Sequence, residues 1–149
     1  MYPSSIDGIS IDKLVEQHGS PLFVVSAETL RTNTKTFQKE FSKKYPKVVV
    51  AYSYKTNYIS SVLKIIHEEG VWAEVASGFE YDLARLLDVP GASIVFNGPY
   101  KKKEELGKAA DDGALINVDH LEEIKLFEEI ASELRRTIDI GIRINMDVG

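Results

Sequence analysis

The chain has no cysteine, which excludes disulfide staples, thiolate metal centres and cysteine nucleophiles and fits a reducing compartment. It has no apolar run near the ~18 residues that a membrane span needs. Met1 to Asp12 lacks the basic start and apolar centre of a secretion signal. A cytoplasmic protein with no membrane partner is therefore expected. Basic charge is scarce, with 18 Lys and Arg against 23 Asp and Glu and a net charge of −5, which argues against a nucleic-acid partner. The one long basic run, Lys101-Lys102-Lys103, is followed at once by Glu104 and Glu105 and reads as a solvated helix start. The three histidines, His18, His67 and His120, stand at no ligand spacing, so no metal site is expected. Neither a G-x-G-x-x-G fingerprint nor a P-loop lysine motif is present.

What is there is a repeating pattern. Val48-Val49-Val50-Ala51-Tyr52-Ser53-Tyr54 is a run of β-branched and aromatic residues that reads as a buried strand, and it ends at Lys55 with Thr56-Asn57 as turn chemistry. From Lys47 onward, short apolar strands alternate with amphipathic helices. Strands are expected at 47–53, 71–76, 93–97, 114–118 and 138–144, and helices at 58–69, 79–88, 101–111 and 120–134. Val62, Ile65 and Ile66 share one helical face; so do Leu83, Leu86 and Leu87, and then Leu121, Ile124, Phe127, Ala131 and Leu134. Ser77-x-x-Glu80 and Asp119-x-x-Glu122 read as capping boxes, and Gly70 and Gly113 as helix stops.

Upstream, Ile11, Leu14 and Val15 suggest a short amphipathic turn. Pro21-Leu22-Phe23-Val24-Val25 reads as a leading strand, and Ser26 as the cap of a helix carrying Leu30, Thr34, Phe37 and Phe41. The expected organisation is an N-terminal segment with that leading strand over 1–25 and a partial βα barrel over 26–149. Alternating βα units require parallel strands and right-handed crossovers, which leaves an open doubly wound sheet or a (β/α)8 barrel. A barrel takes eight strands and about 250 residues, so only about the first five strands would be present.

In order along the chain, several segments are similar to one family. They are Gly19-Ser20-Pro21-Leu22-Phe23-Val24-Val25 with Glu28-Thr29-Leu30-Arg31; Tyr52-Ser53-Tyr54-Lys55-Thr56-Asn57; Glu74-Val75-Ala76-Ser77-Gly78-Phe79-Glu80; Ile94-Val95-Phe96-Asn97-Gly98-Pro99 with Lys101; Ile116-Asn117-Val118-Asp119-His120-Leu121-Glu122-Glu123; and Gly141-Ile142-Arg143-Ile144-Asn145. Together they resemble the alanine-racemase-fold (fold-type III) decarboxylases that depend on pyridoxal phosphate, the diaminopimelate, ornithine and arginine decarboxylases. The resemblance implies an α/β fold of the TIM-barrel type and pyridoxal 5'-phosphate as cofactor. It implies Lys55 as the Schiff-base lysine and Glu74 and Arg143 as further cofactor-binding residues. The implied activity is decarboxylation of a small amino acid in a homodimer.

The chemistry explains the position of the lysine. A free lysine amine has a pKa of ~10.4 and is a poor nucleophile at neutral pH; desolvation or a neighbouring cation favours the neutral form. Ser53, two residues earlier, would share its face. By the resemblance Glu74 lies under or beside the cofactor, where the family more often has Asp; the alternative is an acid paired within the barrel. Arg143 would contact the cofactor's phenolic oxygen or hold an acid; the alternative is a structural ion pair. Glu80 reads as a helix cap and Asn57 as a turn residue.

The family's cofactor-stacking histidine, its Gly-rich phosphate loop, its late acid and its C-terminal β-domain would lie beyond Gly149. The chain is thus expected to be the N-terminal part of such an enzyme, inactive alone. An amino-acid racemase of the same fold and a non-catalytic regulator or pyridoxal phosphate carrier are the alternatives.

Overall fold

A computed structural model describes residues 4–146. It forms two compact units, Met1–Val48 and Val49–Gly149.

The first unit holds a two-stranded antiparallel ribbon, β1 (Ser5–Ile6) with β2 (Ile9–Ser10), then α1 (Ile11–His18) and α2 (Ala27–Ser42). Ser26 caps α2 as its sequence suggests: its Oγ accepts from the Thr29 N–H at 3.0 Å and donates to Asp7 Oδ1 at 2.6 Å. The leading strand expected at 21–25 does not form. These residues pair with no strand among the described residues, and Phe23 is 99% exposed. Strand propensity is a preference for a half-buried pleated surface, and without a partner ladder it is not enough.

The second unit is the βα repeat. Its elements are β3 (Ala51–Ser53), a 3-10 turn (Tyr54–Thr56), α3 (Ser60–Glu68), β4 (Trp72–Val75), α4 (Gly78–Leu86), β5 (Ile94–Phe96), α5 (Lys103–Asp111), β6 (Leu115–Val118), α6 (Leu121–Leu134) and β7 (Ile140–Ile142). The sheet order is β3-β4-β5-β6-β7 and every pair is parallel. Spatial order equals chain order, so there is no switch point of the doubly wound kind. The fold is α/β, with the arrangement of the first strands of a (β/α)8 barrel.

Strand alternation sorts the two faces. Ala73, Val75, Ile94, Phe96, Ile116 and Val118 turn to the helices and are buried against Leu63, Tyr81, Ala84, Leu106, Ala109, Phe127 and Ile130. The tightest aromatic contact in this layer stacks Tyr81 on Phe96, with centroids 5.5 Å apart. The expected faces of α4 and α6 mostly pack inward, through Leu83 and Leu87 and through Ile124, Phe127 and Leu134, joined by Tyr81, Ala84 and Ile130. The exceptions are Leu86 and Leu121, which are exposed. The opposite face of the sheet is polar at its carboxyl end, with Ser53, Glu74, Asn97 and Asn117 half-buried there.

Candidate active site at the carboxyl ends of the strands

In a parallel sheet every strand ends on the same side, so the turns after β3, β4, β5 and β7 converge. Lys55, Glu74, Ala76, Asn97, Gly98, Pro99 and Arg143 line one cleft there, of about 430 Å³. The three site residues expected from the sequence therefore meet in one place.

Lys55 follows a strand that ends at Ser53 as expected, but it sits on a 3-10 turn that the sequence reading did not anticipate. That turn, Tyr54–Thr56, is closed by Thr56 Oγ1 donating to Ser53 O at 2.7 Å. The apolar run before the turn is not buried as expected; Val49, outside β3, is 56% exposed. Lys55 itself is exposed. Arg143 is the cation sharing its cleft. Beneath Lys55 the turn is pinned from the core side. Tyr54 is fully buried, and its hydroxyl lies 2.7 Å from His67 Nε2 on α3. His67 Nδ1 lies 2.8 Å from the Val71 carbonyl, which can only accept, so Nδ1 carries the proton and Nε2 accepts from Tyr54. Burial lowers the His67 pKa, against the raising effect of the Val71 bond, and burial raises that of Tyr54.

Glu74 stands on β4 opposite Ser53. It is the end of a side-chain ladder across three strands: Asn117 Nδ2 donates to Asn97 Oδ1 at 2.6 Å, and Asn97 Nδ2 donates to Glu74 Oε1 at 2.8 Å. The Asn97 amide holds the carboxylate by one oxygen at the edge of the cleft. On β7, Gly141 sits opposite Asn117, whose side chain fills the space a Cβ would need.

Arg143 follows β7. Its N–H continues the ladder to Val118 O at 2.9 Å, and its Nη1 donates to Asp119 Oδ1 at 2.9 Å. Asp119 is therefore not the N-cap expected of it. His120 holds that place without a side-chain bond, and the N–H of Asp119 donates to Glu123 Oε2 at 2.9 Å. The turn before α4 repeats this geometry. Ser77 is the N-cap, and the half of the expected box that does not close, Glu80 to the cap N–H, is replaced by Glu80 Oε2 accepting from Ala76 N–H at 2.7 Å. Glu80 is a capping residue, as its place in the sequence suggests.

The lysine run is the largest departure from the sequence reading. Lys102 is exposed, but Lys101 is buried, 2.9 Å from Glu123 Oε1 and donating to Gly98 O at 2.7 Å. Lys103 bridges Glu129 and Glu133 of α6 at 2.7 and 2.8 Å. Sequence reasoning also missed Asn97 and Asn117. The available signal was a polar residue directly after buried Phe96 and between buried Ile116 and Val118.

The donor set suits an anionic aldehyde cofactor. It offers an amine to react, a guanidinium and a carboxylate. The wall is bare backbone: Gly98 has φ +103°, and a Cβ there would run into the Ala76 carbonyl. Ser53 Oγ is buried without a hydrogen-bond partner beside this cleft. Among the described residues no group of His, Asp and Glu is placed to hold a metal ion, and no helix is long and apolar enough to cross a membrane.

Comparison with known proteins agrees. Diaminopimelate decarboxylase of Methanocaldococcus jannaschii is 38% identical over 152 residues, covering 96% of this chain and 34% of that protein. The Aquifex aeolicus diaminopimelate decarboxylase is 33% identical over 144 residues, covering 96% of this chain and 33% of its own length. A crystal structure of the M. jannaschii enzyme in co-complex with L-lysine superposes with a TM-score of 0.84 at 34% identity, over 97% of this chain and 35% of that one. The chain spans about a third of the length of these relatives. Residues 28–149 match the pyridoxal binding domain of the pyridoxal-dependent decarboxylases, and the chain belongs to that family.

Proposed function

We propose that this chain supplies the lysine-bearing wall of a decarboxylase that uses pyridoxal 5'-phosphate on a small amino acid with a second polar or charged group, as diaminopimelate has. The observation that carries this is the convergence of Lys55, Glu74 and Arg143 on one cleft at the strand ends, in a chain of this family. Lys55 would hold the cofactor at its aldehyde carbon through Nζ, with loss of water, and as a free amine would move a proton at the substrate's Cα. Glu74, held by Asn97, presents a fixed carboxylate toward the cofactor. Arg143, half-exposed and aimed by Asp119, binds an oxyanion of cofactor or substrate. Bound pyridoxal phosphate supplies the electron sink for the bond broken at Cα. The substrate class rests on the names of the relatives and on the L-lysine held by the M. jannaschii enzyme. A homodimer in the cytoplasm belongs to the same proposal as part of the family resemblance, and the lack of cysteine fits a reducing compartment.

The test is an absorbance titration with pyridoxal phosphate, followed by borohydride reduction and peptide mass spectrometry. A band near ~420 nm that reduction locks onto Lys55, and that Lys55→Ala abolishes, is expected. Label on other lysines only, unchanged in Lys55→Ala, would remove the basis of the proposal. Without the remaining two-thirds of its relatives' length, the chain is expected to release no CO2 from diaminopimelate, ornithine or lysine.

A further inference from the structure

We infer that the buried Lys101–Glu123 ion pair is a positioning device that ties two walls of the candidate site together and aims Arg143. The inference rests on the proposed role of that cleft. Four contacts run in series. Lys101 Nζ donates to Gly98 O at 2.7 Å; the same nitrogen lies 2.9 Å from Glu123 Oε1; Glu123 Oε2 accepts the Asp119 N–H at 2.9 Å; and Asp119 Oδ1 accepts from Arg143 Nη1 at 2.9 Å. Both ends of the series, Gly98 and Arg143, line the cleft, and the middle does not. The side chains of Lys101 and Glu123 are 0% and 1% exposed.

A buried ion pair contributes little net stability over apolar residues of similar volume, because desolvation offsets the attraction. Its retention here is explained by geometry. The pair fixes the carbonyl of a glycine in the left-handed region and, through one backbone N–H, the carboxylate that orients an otherwise exposed guanidinium. A carboxylate with two oxygens facing two different turns can do this; an apolar side chain cannot.

The readout needs no cofactor: the rate at which phenylglyoxal modifies Arg143, followed on its peptide by mass spectrometry. Asp119→Asn removes the last link and sets the scale. Acceleration of about tenfold is expected, the factor one charge-assisted hydrogen bond is worth. Replacing both partners, Lys101→Met with Glu123→Leu, avoids leaving an unpaired buried charge and is expected to raise the rate nearly as far. Glu123→Gln breaks the ion pair but keeps a carbonyl oxygen for the Asp119 N–H, so it is expected to raise the rate less than the double variant does. A folded double variant with Arg143 at the parental rate would overturn the inference. If the double variant does not fold, amide exchange in the parent decides: an Asp119 N–H protected from exchange supports the series, and one exchanging at the free-peptide rate ends it. Failure of the cofactor titration with intact Arg143 coupling would count against the proposed function alone.

Discussion

Replacing Gly141 by alanine tests the polar ladder beneath the site. The backbone at Gly141 is not left-handed, so the cost is one of space. A Cβ there would overlap Asn117 Oδ1 and come within 3.0 Å of Asn117 Cγ. Asn117 is not free to swing away, because its Nδ2 is committed to Asn97 Oδ1 at 2.6 Å. Either the amide turns and leaves a half-buried acceptor unpaired, at about 1–3 kcal/mol, or β6 and β7 spread, at a similar ~1–3 kcal/mol for overpacking. Part of each is expected, for a total of about 2–4 kcal/mol. At about 2–4 °C per kcal/mol for a chain of this length, the melting temperature should fall by roughly 4–16 °C. Thermal unfolding followed by far-ultraviolet circular dichroism measures this. Asn117→Ala removes the obstacle, so Gly141→Ala should cost less in that background than in the parent, with a coupling of about 1 kcal/mol or more. A Gly141→Ala chain melting within about 1 °C of the parent would show that Asn117 does not occupy this space.

Three other outcomes follow from the same structure. Because burial depresses the His67 pKa in the folded chain, its contribution to stability is fully present above the unfolded value of ~6.5 and is lost as pH falls from there to the lower folded value. His67→Gln should flatten that part of the curve when urea unfolding is compared at pH 5 to 8, and an identical slope would refute the assignment. Lys101→Met alone strands the buried Glu123 carboxylate and should cost about 3–5 kcal/mol in urea unfolding, most of it regained when Glu123→Leu is added; equal losses in the single and double variants would contradict this. Ser26→Ala should raise the Asp7 pKa toward the usual carboxylate range, since the Ser26 hydroxyl is the main cause of its depression, and an NMR titration of Asp7 that does not move would disprove the bond.

The repeat was legible because each strand and helix carries its own pattern, and all five strands and four helices of the second unit lie within a few residues of their expected places. Lys55 was readable as a residue after a strand end, and Glu74 and Arg143 came from the family resemblance. What escaped was set by long-range partners. Pro21 to Val25 has the composition of a strand but no ladder to join among the described residues. Lys101 looked like one of three solvated lysines because nothing local reveals Glu123, 22 positions away (123 − 101), on another helix. Leu86 and Leu121 fit a helical stripe but are exposed, because how much of the stripe meets the sheet is decided by how each helix lies on it. Asn97 and Asn117 were hidden for a similar reason: a polar residue at a strand end reads as turn chemistry until a neighbouring strand supplies its partner.

The strand order β3-β4-β5-β6-β7 has a consequence for how the chain is made. Each strand pairs with the one synthesised just before it, across a connection holding a single helix. Every new βα unit emerging from the ribosome therefore finds its docking edge already built, and loop-closure entropy is met in small, nearly equal steps. Growth of this kind leaves two edges open, that of β3 and the newest, and adds only at the newest, so assembly can keep pace with translation.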